Sequence, residues 1–285
     1  MKDQRHLESI IMSTLSTFTP PQLSDLTHYF SALYHRHHRR IFSLLSSPTL
    51  FSLTLHHLHS LSLHNKSLLI AKHLLSKLAI FTHFMHNNTI LPPPSTTSMK
   101  LCDLDAVLLL LLLCELRQHD PEAVLDLPPS RWRLILCQYI AKDALKFSTI
   151  RGSNREVIMK FIEMVAKCKN FINAMNHTDS SGGKNRKEVA TSVAVVVALP
   201  SVEVSGGGGG ECVICKEEMK EGRDVCKLPC HHLFHWICIL PWLKTRNTCP
   251  CCRFQLPSDD VFAEIRRLWE VVVKTSASAK FVGVD

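Results

Sequence analysis

A mainly α-helical protein is expected from this sequence: an N-terminal helical bundle, a flexible linker, a small cysteine- and histidine-rich module and a closing helix. Apolar residues recur at helical spacing from the start to about Asn176, with β-branched alternation nearly absent. Composition changes at His177 and again at the glycine run Gly206 to Gly210, the mark of a linker. At 285 residues the chain exceeds the usual single compact domain, so one sizeable core plus a smaller module is expected. The expected boundaries are 1–176 for the helical region, 177–210 for the linker, 211–257 for the module, 258–275 for the closing helix and 276–285 for a tail.

Leu7, Ile10, Ile11, Leu15 and Phe18 line one face of a first helix that stops before Pro20-Pro21. Leu23, Leu26, Phe30, Leu33 and Tyr34 continue the pattern in a second. Pro48 restarts a helix after Ser46-Ser47, and Leu50 to Met85 carries two more with a joint near His64-Asn65. Asn87 to Ser95 includes Pro92-Pro93-Pro94; proline lacks the amide donor and clashes with the preceding turn, so this is a loop. Leu101 to Leu116, Arg131 to Lys146 and Arg155 to Ile172 resume the helical periodicity. The six leucines Leu108 to Leu113 are closed by Asp105 and Glu115, short of the ~20 residues that cross a bilayer, so they belong to a buried helix. Val193 to Val204, apolar and β-branched, reads either as a pairing strand or as linker with transient β character. Val261 to Lys274 is the closing helix, capped by Ser258 with Asp259 and Asp260 in its first turn, and it packs on the module or mediates self-association.

Composition excludes several functions. The net charge of +8 arises mainly before residue 211, but the basic residues are scattered rather than gathered in a run, which argues against nucleic-acid binding. Tyr34 to Arg40 reads as a solvated helix end or, less simply, a patch for an acidic partner; His56, His57 and His59 have no evident ligand partner. Glu8, Ser9 and Ser13 interrupt any apolar leader after Met1, so neither a secretory signal nor a transmembrane segment is expected. Six of the twelve cysteines are dispersed without pattern, as a reducing compartment permits, which points to a cytoplasmic or nuclear protein without structural disulfides.

The other six cysteines fall at metal-ligand spacing. They run Cys212-x2-Cys215, fourteen residues, Cys230-x-His232-x2-His235-x2-Cys238, ten residues, then Cys249-x2-Cys252. A two-residue gap lets both thiolates of a knuckle face one zinc ion at about 2.3 Å. One such knuckle is weak evidence, whereas four ligand pairs within some forty residues define two structural zinc ions. Each ion has its four positions filled by protein, so no activated water is expected. Cys226 and Cys251 are off register, and His231 only adjoins His232.

This arrangement resembles the RING-H2 finger of RING-type E3 ubiquitin ligases, in particular a plant-like soluble group, over roughly Leu199 to Asp260. The resemblance implies a small ββα cross-brace, with Cys212, Cys215, His235 and Cys238 on one zinc and Cys230, His232, Cys249 and Cys252 on the other. It also implies that Ile214, Pro241, Trp242, Leu243 and Pro250 contact a ubiquitin-conjugating enzyme (E2), the alternative being that Ile214 and Trp242 merely pack the small core. Arg253 stands at the position of the family's linchpin arginine, whose planar fork bonds E2 and ubiquitin carbonyls together. The implied activity is positional: the E2-ubiquitin thioester is held attack-ready and a substrate lysine takes the ubiquitin directly, with no cysteine of this chain acylated. The helical region is then the candidate for substrate binding. An interaction scaffold or transcriptional regulator without ligase activity is the competing expectation.

Overall fold

In the computed structural model, residues 2–85, 99–120, 128–148, 154–176, 188–204, 210–219 and 225–281 are described. The expected loop at Asn87 to Ser95, linker residues 177–187 and the glycines Gly206 to Gly209 lie outside them. The chain divides into two compact units, one holding Met1–Asn87, Thr96–Ser181 and Val271–Asp285, the other including Gly182–Glu270.

The first unit is a helical bundle. It comprises α1 (Lys2–Leu15), α2 (Pro20–Ser46), α3 (Pro48–Ser60), α4 (Leu63–Met85), α5 (Leu101–His119), α6 (Pro129–Ser148) and α7 (Asn154–Asn176). Local chemistry sets the starts: the Thr19 amide donates to Gln22 Oε1 at 2.8 Å before α2, and Ser47 Oγ accepts from the Leu50 amide before α3. Ser62 Oγ accepts from the Asn65 amide, so the joint between α3 and α4 falls at Leu61-Ser62, slightly earlier than the sequence indicated.

Two apolar groups fill the bundle. Phe30, Phe81 and Phe161 converge from α2, α4 and α7, with ring centroids 4.6 and 5.2 Å apart around Phe161. Leu44, Phe51, Leu55, Leu109, Leu112 and Leu136 form the second, so the leucine run is spent inside the fold. By length and composition α4 would also reach across a bilayer, but Ile70, Ala71, Leu74, Leu78 and Phe81 on it are fully buried among its neighbours. Its apolarity is accounted for by packing.

The Tyr34 to Arg40 stretch departs from the solvated helix end expected. It lies within α2, and three of its residues turn inward. The Tyr34 hydroxyl is buried, the His37 ring sits 5.5 Å from that of buried His73, and Arg40 makes two 2.6 Å bonds to buried Asp105. Burial, with Lys77 and Arg36 nearby, pushes His37 down to about 4, and burial next to Lys77 and His37 holds His73 well below its usual range. Below pH 6.5 the unfolded chain therefore binds protons that the folded bundle refuses. The two rings' contribution is fully present above that pH and is lost as pH drops, by up to ~1.4 kcal/mol per pH unit for each ring. Urea midpoints of the first unit measured from neutral pH down to about 4.5 should show this slope, and His73→Leu should reduce it to the part contributed by His37. A midpoint independent of pH would refute it.

The second unit contains the finger. Its helices are α8 (Val193–Ala198), α9 (Trp236–Leu243) and the first part of α10 (Val261–Phe281); β1 (Ser201–Val202), β2 (Val225–Lys227) and β3 (Leu233–His235) form an antiparallel sheet in that order. Val225 faces His235 and Cys226 faces Phe234 in the β2–β3 hairpin, and Ser201 faces Cys226 across the other edge. The ββα core implied by the resemblance thus carries an additional strand.

That strand corrects the linker assignment: residues 188–204 are structured, not flexible. Val195, Leu199 and Val204 are buried beside Phe234, Ile239, Leu243 and Leu256, so the apolar run supplies core to a module too small to have enough of its own. The run is helical first and extended afterwards because Pro200 breaks α8, and the Pro200 carbonyl then accepts from the Lys227 amide at the sheet edge.

The closing helix also differs. Its cap is Asp260, whose Oδ1 accepts from the Ala263 amide at 2.8 Å, while Ser258 Oγ accepts from Asp260 itself. Buried Glu264 reaches back to the Ser258 amide and is neutralised by Arg267 through bonds of 2.6 and 2.9 Å. The helix runs on to Phe281, through most of the expected tail, because residues beyond 270 belong to the first unit. There Thr14 and Ser13 of α1 donate to the carbonyls of Val272 and Ser276 at 3.2 and 3.0 Å.

Candidate metal centres and partner-facing surface

The first knuckle is a tight hairpin. The Cys212 amide donates to Glu217 O at 2.9 Å, and the Lys216 amide donates to Cys212 O at 2.7 Å. The last knuckle repeats this: the Cys249 amide donates to Phe254 O at 2.9 Å, and the Arg253 amide to Cys249 O at 3.0 Å. In both, the residue after the second cysteine is left-handed, Lys216 at φ 64° and Arg253 at φ 59°. His231, between Cys230 and His232, takes φ 66°, so the middle ligands also sit on a sharp reversal. His235 ends β3, and Cys238 lies one turn into α9.

These elements bring together two interleaved sets. The ligand atoms of Cys212, Cys215, His235 and Cys238 lie within 4.8 Å of one another, and so do those of Cys230, His232, Cys249 and Cys252. This is the pairing the resemblance implied. His235 Nδ1 is 3.4 Å from Cys215 Sγ, and His232 Nδ1 is 3.4 Å from Cys230 Sγ. A tetrahedral zinc with Zn–S of ~2.3 Å and Zn–N of ~2.0 Å sets such an edge at ~3.5 Å. The donor set fits as well: burial, with the neighbouring thiols adding to it, pushes Cys230 and Cys238 up to about 12, so a divalent cation is what makes thiolates of them at neutral pH. The protein has two zinc sites.

Cys251 is exposed and Cys226 is buried in β2; neither joins a set. A third grouping of possible ligands, His57, Cys102 and Asp103, gives His57 the partner that sequence reasoning did not find. Its 3.2 Å His57–Asp103 contact joins the last turn of α3 to the first turn of α5, where each side chain complements its own helix dipole. That pairing explains the group without a metal.

Around the finger, Ile214 is 38% exposed, Pro241 is exposed, and Pro250 is half-buried. Trp242 is half-buried: it packs on the core, donates from Nε1 to Thr248 O at 2.7 Å, and lies under the Arg246 guanidinium at 4.6 Å from its ring. Arg253 is exposed. Leu243 is the correction here. It is 1% exposed in the centre of the core, because the helical period turns it away from the face that carries its neighbour Pro241. It is a packing residue and not a partner contact. Val213, next to Cys212, and Phe254, two residues after Cys252, are further exposed apolar side chains on the finger.

The geometry defines a zinc-binding RING finger of the H2 type, and the Ring finger domain family matches residues 210–253. E3 ubiquitin-protein ligase SGR9, amyloplastic, of Arabidopsis thaliana is 49% identical over 278 residues, covering 94% of this chain and 96% of that protein. E3 ubiquitin-protein ligase RING1-like of the same plant is 44% identical over 73 residues, 24% of this chain and 22% of its own. The RNF181 homolog of Drosophila melanogaster, also an E3 ubiquitin-protein ligase, is 46% identical over 80 residues, 27% of this chain and 54% of its own. The chain belongs to the RING-type E3 ubiquitin ligases, which are ubiquitin transferases. That membership favours the ligase expectation over that of a scaffold without ligase activity.

Proposed function

We propose that the finger recruits an E2-ubiquitin thioester and promotes direct transfer of ubiquitin to a substrate lysine. The supporting observation is that the two ligand sets hold the fold while Ile214, Pro241, Trp242 and Pro250 remain accessible in whole or part around them. Apolar side chains that two metal ions render unnecessary for folding are available for recognition. Arg253, exposed directly after the last ligand, acts as the linchpin on E2 and ubiquitin. The first unit reads the substrate. It is shared with a ligase aligned over 94% of this chain, whereas other relatives match about a quarter of it.

The relative's name also supports action at the amyloplast in place of a general cytoplasmic location. A fluorescent fusion of the full chain, viewed against a plastid marker, tests that address.

The activity is tested by incubating the full chain with E1, a panel of E2 enzymes, ubiquitin and ATP. Trp242→Ala and Ile214→Ala should each weaken productive E2 binding by about 30-fold, the effect of truncating an interface anchor. Zinc content should stay unchanged. Full autoubiquitination by both variants would defeat the assignment.

A further inference from the structure

The segment before the finger does more than complete its core. The last carbonyls of a helix have no partner within it, and at the end of α9 the Leu243 carbonyl accepts from the Thr191 amide at 2.9 Å. Thr191 Oγ1 donates to Arg246 O at 3.0 Å, and the Ser192 amide donates to Pro257 O at 2.9 Å. Two residues upstream of Ala190, the Glu188 carboxylate pairs with the Arg246 guanidinium. That guanidinium is the one lying 4.6 Å over the Trp242 ring, while the Arg246 amide donates to Trp242 O at 2.8 Å. The turn that follows α9, and the tryptophan at its edge, are thus held from outside the zinc cross-brace by a stretch some fifty residues upstream.

We propose that Glu188, Thr191 and Arg246 form a clamp that positions Trp242 for the E2, which makes 188–192 a determinant of E2 affinity. The proposal rests on the reading of Trp242 as an E2 contact. An indole fixed at its Nε1, under one face and at its backbone loses little freedom when a partner covers it. Released from Arg246, the ring gains rotamers that must be given up on binding, and the loss appears in affinity. Both partners of the ion pair are largely accessible, with side chains 57% and 43% exposed, so its contribution is salt-dependent. A purely structural role of these residues would not show that dependence on KM.

The test is ubiquitin discharge from a preformed E2-ubiquitin thioester by the full chain, with E2 concentration varied to separate KM from kcat. Arg246→Ala should raise KM about 3- to 10-fold. Its kcat should stay near wild type and both zinc ions should be retained. Arg246→Lys should recover part of the loss, because an ammonium keeps the charge and a weaker ring contact. Glu188→Gln, a conservative change at an exposed site, should raise KM about 2-fold at low ionic strength, with the difference vanishing at about 0.5 M salt. If Trp242→Ala raises KM while Arg246→Ala and Glu188→Gln behave as wild type at low salt, the clamp is refuted and the E2 contact stands. If Trp242→Ala is itself without effect, the reading beneath the clamp fails and the clamp with it. Should Arg246→Ala lose zinc, Glu188→Gln and its salt dependence decide alone.

Discussion

Stripping both zinc ions from the full chain with a chelator is expected to unfold the second unit and abolish ubiquitin transfer, while the helical signal of the first unit persists. The reason lies in how little else holds the finger. Its sheet consists of strands of two and three residues, and its core draws on residues as far upstream as Val195. A core of this size contributes on the order of 3–5 kcal/mol, while a structural zinc site contributes ~10–16 kcal/mol of apparent binding energy at neutral pH. Without the cation the thiols are mostly protonated at neutral pH and nothing draws the four corners of each set together. Limited proteolysis is the direct readout, because cleavage after chelation should fall between residues 188 and 270 and be prevented by added zinc. A second unit that stays protease-resistant after metal analysis shows it empty would overturn the account. Removing one ligand should act in the same direction, since in Cys249→Ser the second set loses a corner that also anchors the last knuckle.

The parts of this molecule that were legible in sequence are those with local causes. Ligand spacing is local, as is the period of apolar residues, so the eight ligands and the helices α1 to α7 could be read from the chain, while the division of the ligands into two sets came from the family resemblance alone. Pro20, Pro48 and the Thr19–Gln22 box announce their own boundaries. What escaped was determined by partners distant in sequence. Val195 and Leu199 have no local reason to be ordered; they are buried because Phe234, Ile239 and Leu256 need covering. Leu243 follows Trp242 directly, and nothing in the order of letters shows that one turns into the core and the other keeps a face outside. Tyr34 to Arg40 looked like a charged surface stretch because its counterparts, Asp105 on α5 and His73 on α4, lie far along the chain.

The identity of the proposed linchpin was visible from its position after Cys252, but its backbone was not. Arg253 adopts the left-handed conformation that glycine accepts at no cost and other residues resist by about 1 kcal/mol. Lys216 occupies the equivalent place in the first knuckle at nearly the same angle. Since Lys216 shares the angle, the knuckle turn itself imposes it; under the linchpin proposal, what Arg253 adds is an exposed five-donor fork carried on a rigid hairpin.

From this follows a substitution that separates function from fold. Arg253→Gly removes the guanidinium while relaxing the backbone, so zinc content should be unchanged and thermal stability equal or slightly higher. Ubiquitin discharge from the E2 thioester should nevertheless slow by about 10²-fold, the effect of losing an oriented donor aimed at the reacting complex. The loss should fall on kcat, because the apolar contacts that bind the E2 remain. Arg253→Lys should restore the charge but little of the rate, since one ammonium cannot bond two partners in the plane of a fork. Lys216→Gly, with the same backbone relief in the first knuckle, should keep full turnover. If Arg253→Gly discharges ubiquitin as fast as the wild type under conditions where Trp242→Ala is impaired, the fork is not what holds the thioester ready, and the left-handed arginine is an accident of the knuckle.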